Sequence, residues 1–593
     1  MALLIWSTTN TSEYLFFSFY ICTYWYLLVV NFILQAELFQ FSRTFSDFFV
    51  IPTCTTVVPR TAAQNFMYKM ISSRRQGQSR HLRIGTVLLL LSARCFSSTL
   101  QVPGEIQAKH LFRTTGYING KFITNNDKYK SFDVKNPANG NVIASCPRMN
   151  AKDVEHASEV AMKSWLEFKK TTVYERSKML SNMGTLMDKY SNDLAHILSL
   201  EAGKPFAEAK GEIAYAKSFY DYYSEECKRI SGEISESPIK GKKLLTIKQP
   251  VGPCALITPW NFPSAMITRK VGPAIAAGCT VVIKPSEETP LSALALCAIA
   301  EEAGVPAGVI NCLTVGREEV VEVGTALCHS PLLRKLSFTG STNVGKWLMR
   351  ESSYNVKRLS LELGGNAPFI VFDDANLEVA VAALMASKFR NAGQTCISSN
   401  RILVQKGVYE KFSKMLAEKV ASLKCGNGLE KGVTMGPLIN EQGLNKVTKH
   451  VNDSIAKGAK ALVGGKPHAA LNSKGGSFFE PTVLINVNSN MMPFSEETFG
   501  PVAPLMMFET DEEAIELANK TEFGLAGYAC TSSLSRAWKV AEGIEFGLVG
   551  INEGAISMPS MPFGGMKESG LGREGGKYGL DEYLEVKYIC MTV

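Results

Sequence analysis

"PCALITPWNFPSAMITRKVGPAIAAGCTVVIKP", residues 253–285, holds two short apolar runs separated by a longer segment. The runs "CALIT" and "TVVIK" are compact and bounded by Pro, Gly or Asn, the punctuation expected of buried strands. The intervening "AMITRKVGPAIAAG" carries apolar residues at helical spacing and stops at a glycine, as helices commonly do. Two buried strands joined by a helix form the repeating unit of a parallel sheet, because a parallel crossover needs a dozen or more residues.

The alternation extends in both directions. "LSALALCAIAEEAG" reads as a helix, "VINCLTV" and "KLSFTG" as strands, "STNVGKWLMRES" as a helix and "RLSLELGG" as a strand. A second alternating series starts at "APFIVFDD" and runs to about residue 550. The expected fold is therefore α/β, with two doubly wound domains and a switch between them near residues 362–365. Upstream, residues 151–207 and 208–229 carry helical periodicity. "GEISESPIKGKKLLTIKQPVG" (232–252) looks like a strand hairpin turning at Gly241, and the tail "LDEYLEVKYICMTV" (580–593) like another strand. Both are expected to lack partners in their own domain and so to act as contacts between subunits, because exposed strand edges demand pairing.

The chain has 593 residues, too many for a single hydrophobic core. Its net charge of +8 is concentrated at one end: residues 1–112 hold nine Lys/Arg against four Asp/Glu, leaving +3 for the rest. A nearly neutral body gives no footprint for nucleic acid. None of the 14 cysteines forms a C-x-x-C or C-x-C pair, and the seven histidines show no H-E-x-x-H, so no metal site is expected. Scattered single cysteines fit a reducing compartment.

The first 112 residues carry two signals. Residues 14–36 are uncharged over a length that spans a bilayer, although aromatic residues in the middle and Asn31 weaken that reading. Residues 48–104 have no acid but seven Lys/Arg and many serines, the composition of an organelle transit peptide. Such a peptide would start at Met67 or Met70. The expectation is a targeting segment at about 67–100 and a mature protein in the mitochondrial matrix. Residues 1–66 would then be an alternative start or a gene-model error, with membrane contact only if 14–36 is retained.

"GSTNVGK" (340–346) has P-loop spacing, but Trp347 stands where a P-loop needs Ser or Thr to reach Mg²⁺. The strand–turn–helix context instead fits a dinucleotide, whose pyrophosphate would meet amides at the helix start, even though the G-x-G-x-x-G fingerprint is absent.

Seven separated motifs then coincide in order: "ITPWNFP" (257–263), "IKPSEETP" (283–290), "FTGSTNVG" (338–345), "LELGGNAP" (361–368), "GQTC" (393–396), "EETFGPVAP" (496–504) and "PFGGMKESGLGREGGKYG" (562–579). Together they resemble the aldehyde dehydrogenase superfamily over about 115–593. "NFPSAMITRK", "SKFRNAGQTC" and "GLGREGGKYGLDEYLEVKY" resemble its branch acting on succinic semialdehyde. The resemblance implies a Rossmann-like NAD-binding domain in two parts (113–231 and 251–361), an oligomerisation hairpin (232–250), a catalytic domain (362–565) and a tail with an oligomerisation strand (566–593). A homotetramer is the implied assembly.

By the same resemblance, Cys396 is the nucleophile, Asn261 the amide that steadies the oxyanion, and Glu362 the base that activates water. Branches that pass the acyl group to coenzyme A lack this glutamate, so its presence implies hydrolysis to a free acid. Lys284 and Glu287 would hold the adenosine ribose, and a carboxylate there accepts a 2′-OH but repels a 2′-phosphate, favouring NAD over NADP. Gly340, Ser341 and Gly345 would meet the pyrophosphate, Trp260 would line the site, and Glu497 and Phe499 would hold the nicotinamide ribose and ring. Arg390, six residues before Cys396, and Arg269 match arginines that bind the substrate carboxylate, for which a guanidinium offers a bidentate fork. Ser557 resembles a third contact. Several relatives have a second cysteine two residues after the nucleophile; Ser398 stands there, so no disulfide switch can form at that position. "ISMPSMPFGG" (556–565) is richer in Met and Pro than the resemblance implies.

Three other readings compete. One is the same chemistry on glutaric semialdehyde, since one methylene is worth only ~1–3 kcal/mol of discrimination. Another is a non-catalytic member of the fold, against which the intact Cys396, Glu362 and Asn261 argue. The third is a membrane-anchored fatty-aldehyde enzyme, which would have no use for two cations.

Overall fold

Five parallel strands build the first sheet around the stretch quoted above. In the computed structural model, which describes residues 102–123 and 129–593, they stand in the order Ile310–Cys312, Val281–Lys284, Cys254–Ile257, Lys335–Thr339, Arg358–Glu362. Short antiparallel strands close both sides of the eight-stranded sheet: Tyr117–Ile118 with Lys121–Phe122 at one edge, and Gly570–Leu571 against Arg358–Glu362 at the other. The chain starts at Cys254–Ile257, steps outward twice, then crosses back to Lys335–Thr339 on the opposite flank. The loops leaving these two neighbours diverge, opening the crevice where ligands bind in sheets of this kind.

After Glu362 the chain enters a second sheet. Its seven strands run Lys460–Val463, Thr482–Ile485, Val502–Phe508, Ser399–Gln405, Ala367–Val371, Ala526–Cys530, Leu548–Ile551, all parallel to their neighbours except the first pair. The turn at 363–366 therefore ends one sheet and begins the other. Each sheet has its own apolar core: Leu256, Val281 and Ile283 belong to one, Phe369, Val404 and Tyr528 to another.

The helical region at 151–229 differs in detail from its sequence reading. Four helices occupy it, Ala151–Phe168, Val173–Lys189, Ser191–Ala202 and Phe206–Glu226, so the break falls before Phe206 rather than between 207 and 208. The first two are started by capping boxes, Asn150 with Asp153 and Thr172 with Glu175, each satisfying otherwise orphaned amides.

The hairpin and the tail need a larger correction. Neither lacks a partner within the chain: Lys242–Pro250 pairs antiparallel with Leu584–Thr592 at every position from Pro250↔Leu584 to Lys242↔Thr592. Ile234–Ser235 covers the other side of Lys242–Pro250, and Gly241 turns the hairpin at φ +80°. Among the described residues, the three-stranded sheet leaves its long edge unpaired along Leu584–Thr592, where Val586 and Tyr588 are exposed.

No helix among the described residues is long and apolar enough to cross a membrane. The segments at 14–36 and 67–100 lie outside the described residues.

Candidate active site

A cavity of about 520 Å³ opens where the loop after Ile257, the loop after Thr339 and the turn before Ser399 converge. Ten of the residues singled out above line it: Trp260, Asn261, Arg269, Gly340, Ser341, Arg390, Cys396, Glu497, Phe499 and Ser557. Glu362, Lys284, Glu287 and Gly345 do not. Glu362 is 1% exposed, and Lys284 and Glu287 pair with each other, Nζ and Oε2 3.6 Å apart.

Cys396 follows a turn of unusual backbone. Asn391, Ala392 and Gly393 are all left-handed, at φ +52°, +52° and +74°. The left-handed region is costly for a residue with a Cβ, and such strain collects at functional sites. Buried hydrogen bonds hold the turn in place. The Gln394 side chain donates to Asn391 O (3.1 Å) and Pro437 O (3.2 Å) and accepts from Ile439 N (2.9 Å). On the other side Gly365 comes so close that a Cβ there would sit 2.3 Å from Cys396 O. Burial pushes the Cys396 thiol up to about 12, with the Arg269 charge pulling the other way.

Asn261 points its amide at the same place. Its Nδ2 donates to Gln394 O at 3.0 Å, which leaves one N–H for a ligand. The Cys396 amide donates to no backbone carbonyl among the described residues. Asn261 Nδ2 and the Cys396 amide are thus both donors with capacity left beside the nucleophile turn.

Neither carboxylate oxygen of Glu362 has a hydrogen-bond partner among the described residues. Burial, followed by the neighbouring Glu574 charge, raises its pKa well above the usual carboxylate range, against the pull of Arg269 and Lys270. A desolvated carboxyl of this kind is a stronger base than one in water.

The two arginines differ. Arg269 is 2% exposed, sits 4.0 Å from the centre of the Phe563 ring and has its Nε 2.7 Å from Glu574 Oε2. Glu574 also pairs with Lys270, and these two cations hold it below its ordinary pKa despite burial. Arg390 is exposed at the cavity, 5.3 Å from the Phe262 ring centre, and no carboxylate pairs with it among the described residues. Its charge acts at longer range on Glu208 without closing an ion pair to it, whereas Arg269 is paired with Glu574.

Sequence reasoning assigned no role to Tyr215, whose hydroxyl lies 2.5 Å from Ser557 Oγ and 3.5 Å from Arg269 Nη1, joining two of the expected carboxylate contacts. Phe563 is the apolar wall that the Met- and Pro-rich segment supplies, while Met558 and Met561 face outward.

The other end of the cavity fits a dinucleotide. The helix Thr342–Ser352 starts at Ser341, whose side chain makes no cap hydrogen bond, so first-turn amides remain for a phosphate. Gly345 packs so closely that a Cβ would meet Leu363 at 2.4 Å, which keeps the helix start tight against the sheet. Lys346, the lysine of the P-loop-like spacing, turns away and pairs with Glu568. Trp260 and Phe499 meet edge to face with ring centres 5.5 Å apart and give this end of the cavity an apolar wall. Phe499 is held at φ +55°, and the preceding Thr498 is pinned by Asn400 (3.1 Å) and buried His450 (3.2 Å). Glu497 accepts from Gly365 N at 3.1 Å, and burial raises its pKa to about 7. Among the described residues no three His, Cys, Asp or Glu side chains converge as a metal site.

The cavity gathers a cysteine thiol and an asparagine amide close to a buried carboxyl, and the chain belongs to the aldehyde dehydrogenase family, which it matches over residues 122–589. It is 52% identical to the mitochondrial succinate-semialdehyde dehydrogenase of Oryza sativa subsp. japonica, over 82% of this chain and 91% of that one. It is 50% identical both to the NADP(+) succinate-semialdehyde dehydrogenase of Escherichia coli and to the glutarate-semialdehyde dehydrogenase of Pseudomonas aeruginosa, in each case over 82% of this chain and 99% of the other. Among solved structures, succinate-semialdehyde dehydrogenase from Burkholderia pseudomallei superposes with a TM-score of 0.80 at 50% identity, covering 83% of this chain and 100% of that one. Betaine aldehyde dehydrogenase from Staphylococcus aureus in complex with NAD+ superposes at 0.78 with 36% identity, covering 82% and 95%.

Proposed function

We propose that this enzyme oxidises succinic semialdehyde to succinate with NAD. The observation that carries the substrate is the unpaired Arg390 at the cavity, set on the same short turn as Cys396. A semialdehyde that presents its carbonyl to Sγ presents its carboxylate to a cation, with Arg269, Tyr215 and Ser557 as further donors. A panel of succinic, glutaric and uncharged four-carbon aldehydes, each with NAD and NADP, tests this. Equal kcat/KM for charged and uncharged aldehydes would overturn the assignment. Glutaric semialdehyde is the second reading, favoured by the relative that carries that name.

Cys396 Sγ bonds to the aldehyde carbon as its proton passes to water in the cavity, and the new oxyanion takes hydrogen bonds from Asn261 Nδ2 and the Cys396 amide. A bound nicotinamide would serve as the hydride acceptor, and the carbon held by Cys396 would then be a thioester. Water, giving its proton to Glu362, splits the thioester to carboxylate and free thiol.

For cofactor choice the carrying group is Glu287, whose carboxylate beside Lys284 favours a 2′-OH over a 2′-phosphate. Glu287→Ser should raise the NADP/NAD ratio of kcat/KM tenfold or more, since a like-charge clash costs upwards of about 1.4 kcal/mol. An unchanged ratio would move 2′ recognition elsewhere.

The mature enzyme is proposed to begin between about 95 and 112 in the mitochondrial matrix, in line with the mitochondrial relatives. The two sheets with their crossing helices are proposed as the NAD-binding and catalytic domains, and the edge at Leu584–Thr592 as a contact in a homotetramer. An intact Met1 in the native protein would refute the first of these, and a monomeric mass in light scattering the last.

A further inference from the structure

Asn261 comes from the first sheet and Cys396 from the second, so the spacing of the two oxyanion donors depends on something that grips both. The segment leading into the helix Phe206–Glu226 does this. Lys204 Nζ, buried at 2% exposure, donates to Asn261 O at 2.8 Å and lies 3.9 Å from the Phe262 ring centre. Its ion-pair partner, Glu212 Oε2, is 2.5 Å away and 3% exposed as a residue. The other oxygen, Glu212 Oε1, accepts from the amides of Ser264 (3.0 Å) and Ala265 (3.3 Å). The loop that carries Asn261 is therefore held at three points by one buried pair. From the same helix Glu208 Oε2 accepts from Asn391 N at 2.9 Å, and Asn391 Nδ2 bridges Asn261 O (3.0 Å) and Gln394 O (3.1 Å).

A buried ion pair is weak support for stability, because desolvation cancels much of its attraction. Its hydrogen bonds here are spent on loop backbone next to the reacting atoms. We infer that Lys204 and Glu212 are positioning residues for the oxyanion hole, fixing the Asn261 amide against the nucleophile turn. The inference rests on the oxyanion role given to Asn261 above.

The test is a double-mutant cycle. Lys204→Met/Glu212→Gln removes both charges together, so that neither is left buried alone. It is expected to lower kcat for succinic semialdehyde about tenfold to a hundredfold, the cost of misplacing a reacting group by about an ångström, with aldehyde KM changed less than about threefold. In an Asn261→Ala background the same pair should cost less than about twofold. Alkylation of Cys396 by iodoacetamide should keep its rate. Equal losses in both backgrounds, or thiol reactivity falling in step with kcat, would overturn the inference and leave the pair a fold element. Glu212→Gln alone keeps an acceptor for the two amides and carries the same cycle if the double variant does not fold. Asn261→Ala by itself separates the two ideas: full activity in that variant removes the oxyanion assignment, whereas a slow variant with an additive cycle removes only the positioning role.

Discussion

Cys396→Ala is expected to end oxidation of every aldehyde, while Arg390→Ala should cut kcat/KM for succinic semialdehyde about a hundredfold and leave butanal far less affected. The contrast follows from what each group touches. Sγ is the atom proposed to make the covalent bond in either reaction, so no substrate should escape its loss. Arg390 is proposed to meet the substrate carboxylate, and a hundredfold loss corresponds to about 2.7 kcal/mol, within the ~2–5 kcal/mol that breaking a closed-over charge pair costs once bound substrate shuts water out of this exposed cavity. Arg390 is a cleaner probe than Arg269, whose removal would also leave Glu574 one cation short inside the protein. One table of kcat/KM, two variants by two aldehydes, decides it. If Arg390→Ala loses both substrates equally, the arginine supports the nucleophile turn and the semialdehyde assignment loses its physical basis.

The second large effect concerns Glu362. Glu362→Gln should slow steady turnover by ~10²–10⁴, the usual worth of a general base. The first turnover should survive as a burst of reduced cofactor, with an acyl group left on Cys396 that intact mass measurement detects. The sign of the pH dependence follows from burial. The carboxyl titrates well above its usual range, and only its ionised form accepts a proton. Hydrolysis in the native enzyme should therefore rise as pH climbs through that raised pKa, and Glu362→Gln should flatten the rise. A variant that neither accumulates acyl-enzyme nor loses this pH limb would put the base elsewhere.

Residues 254–371 were legible in the sequence because each strand is a short β-rich run with its own punctuation, so local pattern and final structure agree. The helix starts at Asn150 and Thr172 carried capping-box signals that periodicity alone passes over. The pairing of Lys242–Pro250 with Leu584–Thr592 was hidden for a different reason: a strand's pattern shows which face is buried but not which distant segment lies beside it. At the site, the motif residues stood out, but their supports did not. Glu574 lies inside a quoted motif, yet its hold on Arg269 and Lys270 exists only in three dimensions. Tyr215, Lys204 and Glu212 sit in ordinary helical sequence whose meaning comes from what packs against it.

The chain leaves its first sheet at Glu362 and enters its second at Ala367, and the reacting groups gather from both sides of that seam. Each sheet keeps its own ladder of hydrogen bonds and its own core, so a small tilt of one against the other would break neither ladder. Turnover is more exacting: with Asn261 as the proposed oxyanion donor, a slip of about an ångström between it and Cys396 should slow the reaction up to about a hundredfold. The enzyme's own rate is thus a strain gauge for the angle between its halves, and on warming it should register loosening at the seam before circular dichroism registers any lost strand.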